Sequence, residues 1–424
     1  MFHSDVLEDR AGVLFIDGVS ATSLADQYDT PLYVLSERRI RSNYRRVMSA
    51  FSKRYEKTRV YYSAKANTNL AVLRILKEEG AHVDAVSPGE VYLALRAGFS
   101  PERILFTGTS VRNDELEYVT RSEVSINVDS VSELNRLLSM STPQLLSFRI
   151  NPEIGAGHHE HVITAGRECK FGLWETEVLD AYRRAMQAGV SKFGMQMHIG
   201  SGILDPSIYR IAAERLLDIA GKVARELGIV FELIDFGGGL GIPYRPQEHA
   251  PDLEVFAENL VAVFMEKTAE HGLGQAYLCI EPGRYLVGDA GVLLTRVNTV
   301  KTWPHRKFIG VDAGFNTLVR PTMYGSYHHI VLANRLNAPE VEKCDVAGPI
   351  CETGDLLAKD RMLPKISEGD LLAVLDTGAY GYSMSSQYNS RPRCAEILVN
   401  KGEHSVIRKR ESIEDLLKGQ RAHE

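Results

Sequence analysis

Cysteine is scarce in this chain and is not arranged as a scaffold. The five residues, Cys169, Cys279, Cys344, Cys351 and Cys394, are scattered, odd in number and without a C-x-x-C pair. That pattern indicates neither a disulfide framework nor a zinc site. Long apolar runs are missing as well. No window approaches the roughly 18 apolar residues of a membrane-spanning helix, so no membrane partner is expected. The opening Met-Phe-His-Ser-Asp-Val-Leu-Glu-Asp-Arg carries charge where a signal peptide is apolar. Basic runs are lacking too, and a net charge of −6 argues against a nucleic-acid partner. A cytoplasmic protein is expected, with most cysteines serving as small buried hydrophobes.

What remains is a soluble globular composition, 44% hydrophobic and 25% charged over 424 residues, long enough for two domains. Eight short β-rich runs alternate with helix-period segments: 60–65, 83–87, 104–108, 125–129, 145–151, 193–200, 233–239 and 277–284. Most are continuously apolar, as parallel strands buried on both faces are. Eight β/α repeats predict a (β/α)8 TIM barrel over 36–285. Beyond it the texture turns β-rich, with candidate strands at 292–300, 307–311, 329–332, 371–375, 395–399 and 405–408 and a short helix at 411–417. This predicts a C-terminal, mostly antiparallel β domain over 286–424. The strand-like segment 12–33 is assigned with residues 1–35 to the same domain.

In such barrels the chemistry lies at the C-terminal strand ends. Those ends carry Lys65, Asp84, His198 with Gly200 and Ser201, the run Gly237, Gly238 and Gly239, and Glu281 with Arg284. A lysine closing an apolar strand is costly unless it is paired or used. Desolvated, it becomes a nucleophilic amine suited to an aldehyde cofactor; the bland alternative is a lysine reaching solvent. Three glycines let backbone N–H groups approach a phosphate, although a bare glycine run is often just a turn. Glu281 is placed to hold a pyridinium N–H, unless it merely pairs with Arg284. His198 is read as stacking on a ring, against the commoner satisfied core histidine. The β domain offers Arg320 and Tyr324 in Arg-Pro-Thr-Met-Tyr, Cys351 and Glu352 in Gly-Pro-Ile-Cys-Glu, and Tyr380 among glycines. The fork of Arg284 or Arg320 suits a substrate carrying an extra carboxylate.

Together these runs resemble the fold type III pyridoxal-phosphate decarboxylases, most closely the diaminopimelate decarboxylases. The matching motifs are Thr30-Pro-Leu-Tyr-Val, Tyr62-Ser-Ala-Lys-Ala-Asn, His198-Ile-Gly-Ser, Gly237-Gly-Gly-Leu-Gly-Ile-Pro-Tyr, Glu281-Pro-Gly-Arg, Arg320-Pro-Thr-Met-Tyr, Gly348-Pro-Ile-Cys-Glu and Gly378-Ala-Tyr-Gly. They stand in the family's order across nearly the whole chain. The resemblance implies the cofactor pyridoxal 5'-phosphate, joined to Lys65 as a Schiff base, with His198 on its ring and Glu281 at its nitrogen. Ser201, Gly237–Gly239, Gly283 and Arg284 would hold the phosphate, and Tyr380 would close on the cofactor. Arg284, Arg320 and Tyr324 would take the distal carboxylate of meso-diaminopimelate, and Glu352 its ammonium. Cys351 would reprotonate Cα. Cys351 and Glu352 would come from the partner of a homodimer with shared sites. The implied reaction yields L-lysine and carbon dioxide, as the last step of lysine biosynthesis.

Two features depart from the family pattern. Gly202 follows His-Ile-Gly-Ser where the family usually has Gln, and the loop after Asn151 carries His158, His159 and His161. A mobile loop over the barrel mouth is expected there rather than a metal site. Decarboxylases of ornithine, lysine, arginine or carboxynorspermidine are the nearest rivals. A racemase or a non-enzymatic cofactor-binding protein stands further off, since the first commonly places arginine at the ring nitrogen and the second lacks a β domain.

Overall fold

The computed structural model describes residues 2–155, 164–166 and 168–421, so His158, His159 and His161 lie outside the described residues. The chain divides into two compact units, one of residues 42–242 and 249–286, the other of residues 1–41, 243–248 and 287–424.

The first unit is a closed barrel of eight strands: Thr58–Ser63, His82–Ala85, Ile104–Phe106, Ser125–Val128, Leu145–Arg149, Lys192–Gln196, Phe231–Asp235 and Tyr277–Ile280. All neighbours run parallel, in sequence order, and the last strand pairs with the first. The strands are buried almost throughout, which is why they read as apolar runs rather than alternating ones. Helices follow with local start and stop signals. Ser87 caps Pro88–Ala97 by accepting from the Glu90 amide, and Gly98, at φ +95°, ends that helix. Ser130 and Glu133 repeat the Ser-x-x-Glu device at Val131–Met140. Small residues let the barrel close. A Cβ on Gly194 would stand 2.8 Å from Leu233 Cδ1 and 3.0 Å from Ser147 Oγ.

The second unit is mostly antiparallel sheet. Its long strand Gly291–Trp303 pairs with Arg306–Val311, with Leu371–Val374 and with Leu32–Ser36. The N-terminal strand Leu32–Ser36 also pairs, parallel, with Ala395–Asn400. Apolar side chains from the N-terminal segment, including Leu14, Ile16, Leu24 and Val34, share one core with Val292, Leu294 and Ile397.

Three local expectations need correction. The segment 12–33 is not uniformly strand: after Val13–Ile16 and Val19–Ser20 it forms the helix Ala21–Tyr28. Ser20 caps that helix, and Ala21, Leu24 and Ala25 fall on one buried face at helical spacing. Strands Glu340–Ala347 and Leu356–Pro364 escaped the sequence reading because charges interrupt them and their mutual register shifts. The terminal helix is a single tight turn, Glu414–Leu417.

A buried ion pair anchors the second unit. Arg39 donates to Asp289 Oδ2 at 2.6 Å and to Asp5 Oδ1 at 2.7 Å, with Arg39 and Asp289 each about 10% exposed. Arg39→Ala removes a charge partner from the buried Asp289 carboxylate, so a loss of about 3 kcal/mol is expected in denaturant unfolding. By contrast Arg184→Ala, which breaks a half-exposed pair with Asp180, should cost no more than about 0.5 kcal/mol.

Candidate active site

Each barrel strand ends where the chain swings out to a helix, and the chemistry-bearing residues stand one to five residues past those ends. Lys65 sits in the tight turn Ala64–Ala66 after the first strand. Its Nζ is 3.2 Å from Asp84 Oδ2 of the second strand, and its side chain is 38% exposed beside a fully buried partner. Ser63 Oγ lies 3.0 Å from the same Asp84 oxygen and 2.9 Å from the Glu281 carbonyl, tying the first, second and eighth strands together. Gly283 lets that turn pack closely, because a Cβ there would meet Ser63 and Ala66 at 3.0 and 3.1 Å.

Glu281, just past the eighth strand, is buried, and Gln196 donates to its Oε2 at 3.1 Å. Gln196 in turn accepts from Asn127 at 3.3 Å. Oε1 of Glu281 is buried with no hydrogen-bond partner among the described residues. Burial, then the nearby charges of Asp235 and Asp84, push this carboxyl well above the usual carboxylate range, against the pull of Lys65 and Arg149. Asp235 is pushed up to about 7, chiefly by burial.

His198 is buried, and the Gly238 N–H donates to its Nδ1 at 3.2 Å. A backbone amide can only donate, so Nδ1 carries the lone pair and the ring proton sits on Nε2. Burial, then the charges of Arg149 and Lys65, hold the imidazole well below its usual value, which keeps it neutral. The glycine run behaves differently from a row of free amides. The Gly237 N–H donates to Asp235 Oδ1 at 2.8 Å, so two of the three amides serve the protein's own acceptors. What requires glycine here is close packing: added Cβ atoms at 237, 238 and 239 would meet the carbonyls of Met197, Glu281 and Gly200 at 2.2, 2.2 and 2.4 Å. Arg284 donates to Ser201 Oγ at 3.0 Å, which places these two phosphate candidates side by side.

The other candidates belong to the second unit. Arg320 and Tyr324 begin and end the short helix Arg320–Tyr324. Arg320 is only 1% exposed, and its guanidinium lies 4.8 Å from the Tyr244 ring. Cys351 and Glu352 are exposed; the Cys351 amide donates to Asn389 Oδ1, and the Tyr388 hydroxyl to Glu352 Oε1 at 2.6 Å. Tyr380 holds φ +58°, a left-handed backbone that is strained for a tyrosine. Its loop is tightly set, since a Cβ on Gly378 would meet the Val287 carbonyl at 1.9 Å.

Sequence reasoning gave Asp84 no role and passed over Asp235, Gln196 and Arg149. Asp235 and Arg149 each close a strand with a charge, the signal that singled out Lys65, and Asp84 stands one residue before the end of its own strand. Gln196, neutral, gives no such signal.

Comparison with known proteins places these features in a family. The family described as "Pyridoxal-dependent decarboxylase, pyridoxal binding domain" matches residues 38–288. The diaminopimelate decarboxylase of Methanothermobacter thermautotrophicus is 57% identical over 98% of this chain and 97% of its own length. That of Archaeoglobus fulgidus is 42% identical over 97% and 98%. The crystal structure of diaminopimelate decarboxylase from M. jannaschii in complex with L-lysine superposes with a TM-score of 0.93, at 35% identity over 100% of this chain and 99% of that one.

The Asp235 carboxyl supplies a prediction with a definite sign. Its value rises from 3.8 to about 7 on folding, so the folded state binds the extra proton. Stability contributed by protonating the Asp235–Glu281 pair is therefore complete below about pH 4 and is lost as pH rises through the raised values of the two carboxyls. In cofactor-free protein, Asp235→Asn should flatten that part of the profile of melting temperature against pH.

Proposed function

Because the chain belongs to the pyridoxal-dependent decarboxylases, and among them to the diaminopimelate decarboxylase family, we propose that it converts meso-2,6-diaminopimelate to L-lysine and carbon dioxide. The observation that carries the chemistry is the buried Glu281 carboxyl, with one oxygen lacking a donor, on the same barrel rim as the Lys65 amine. Pyridoxal 5'-phosphate fits that rim, which offers an amine, an acceptor for a ring N–H, and Ser201 beside Arg284 for a phosphate. When bound, the cofactor supplies an aldehyde for amine exchange and a protonated ring that draws off the electron pair left by a departing carboxylate.

The barrel, taken as 36–285, is the cofactor-binding domain in this reading. Lys65 would hold the cofactor through Nζ and give way to the substrate amine. Glu281 would keep the ring nitrogen protonated, with Gln196 fixing the carboxyl's angle. A neutral His198 would cover one ring face without placing a positive charge there. Ser201, Gly237–Gly239, Gly283 and Arg284 would bind the phosphate, the glycines by letting neighbouring strand ends close around it. From the β domain, 286–424 with the N-terminal 1–35, Tyr380 would close the site. Arg320, Tyr324 and Arg284 would take the distal carboxylate. A substrate ending in ammonium alone would meet Arg320, a charge of its own sign.

The exposed Cys351 and Glu352 would serve the site of the partner in a cytoplasmic homodimer, Glu352 receiving the distal ammonium and Cys351 delivering a proton to Cα once the carboxylate has left. Among the described residues no helix is long and apolar enough to cross a membrane.

Carbon dioxide release tests this reading. Cofactor-loaded protein should release it from meso-diaminopimelate and not from ornithine, lysine or arginine, with Lys65→Ala lowering the rate by about 10³-fold or more. Lys65→Ala and Cys351→Ala variants, each inactive alone, should recover about a quarter of wild-type activity when subunits are exchanged, as shared sites in a two-fold dimer require. No recovery would place Cys351 in the site of its own subunit or outside the site.

A further inference from the structure

Arg320 is held by something unusual for a buried guanidinium. Its Nη1 lies 2.8 Å from Nε2 of His328, a histidine with no exposed surface. A guanidinium has only donors, so Nε2 must carry the lone pair. The ring proton is then on Nδ1, and it meets the Leu375 carbonyl at 2.8 Å. That carbonyl is fixed in turn, because the Leu375 amide bonds to the His329 carbonyl and Val374 pairs with Ile330. Tyr244 completes the arrangement: His328 stands edge-on to its ring at 5.1 Å, and the guanidinium lies 4.8 Å from the same centroid. A backbone carbonyl, one imidazole tautomer and one aromatic ring are therefore among the groups that set where the Arg320 fork points.

The chemistry of this support matters. A carboxylate in the place of His328 would orient Arg320 equally well but would neutralise it and compete with an incoming anion. A neutral imidazole orients the fork without adding a negative charge of its own beside it. We propose that His328 is a positioning residue: it fixes Arg320 through Nε2 and thereby sets the preference for substrates and products that bear a distal carboxylate. This rests on the assignment of Arg320 to that carboxylate. Preorganising the fork spares the ordering cost at binding, so the gain falls on substrate affinity rather than on turnover.

Two replacements separate the two ends of the ring. Glutamine at 328 places an amide oxygen near the Nε2 position and can still accept from Arg320. Asparagine reaches only the Nδ1 position, keeping the Leu375 bond and dropping Arg320. In the holoenzyme His328→Asn should raise KM for meso-diaminopimelate about tenfold, with kcat within about twofold, and His328→Gln should restore most of it. The inhibition constant of L-lysine, which keeps the distal carboxylate, should rise in step. That of cadaverine, which lacks it, should not move. In an Arg320→Ala background His328→Asn should add nothing.

If Arg320→Ala leaves KM unchanged, the assignment of Arg320 fails and the positioning role with it. If Arg320→Ala raises KM but His328→Asn does not, or shifts lysine and cadaverine alike, only the role of His328 is overturned. Nitrogen-15 shifts of His328 in the unmutated holoenzyme give a check that needs no variant: a ring protonated on Nε2 rather than Nδ1 overturns the proposal.

Discussion

A closed barrel of parallel strands sends every C-terminal strand end to one rim, and this sequence loads that rim with charge it cannot easily solvate. Asp84, Arg149, Asp235 and Glu281 are all buried there, and Lys65 reaches only partly into solvent. Isolated, each would cost several kcal/mol to desolvate. Together they bear on one another's protonation: the Asp235 and Glu281 carboxyls drift upward, Arg149 is drawn down by burial, and His198 stays neutral. The barrel's closure thus creates an electrostatic setting in which Asp235 and Glu281 favour their protonated forms.

That setting explains the backbone around it. The three glycines at 237–239 are needed because the carbonyls of adjacent strand ends approach where side chains would otherwise stand. Two of their amides orient protein groups, Asp235 and His198, rather than waiting for a phosphate. The glycines position the acid and the imidazole as much as they open room for a ligand.

The second unit works by a different economy. Its candidates sit on short irregular pieces, the helix Arg320–Tyr324, the exposed Cys351 loop and the strained Tyr380 turn, all carried by a regular sheet. Irregular segments hold a direction only when their neighbours over-determine it. The His328 contact to Arg320 supplies such a constraint on the first of them.

The order of elements was legible because burial on both faces leaves a plain mark: all eight barrel strands overlap the β-rich, mostly apolar runs in the sequence. The helix Ala21–Tyr28 was missed among strand signals, and two sheet strands were hidden by charges on their open faces. Lys65, His198, Glu281 and Arg284 could be picked out because a functional group ending an apolar run is conspicuous at the level of the chain. Sequence by itself therefore determined the barrel, its order and the types of group at its rim, since these follow from local hydrophobic pattern. Only the tertiary structure decided which oxygen of Glu281 lacks a donor, which nitrogen of His198 or His328 bears the proton, and which amides the glycines spend. Apart from the Gly237 amide, whose acceptor Asp235 is two residues away, these depend on partners between 8 and 85 residues away in sequence, and hydrogen-bond direction is fixed only once both ends are in place.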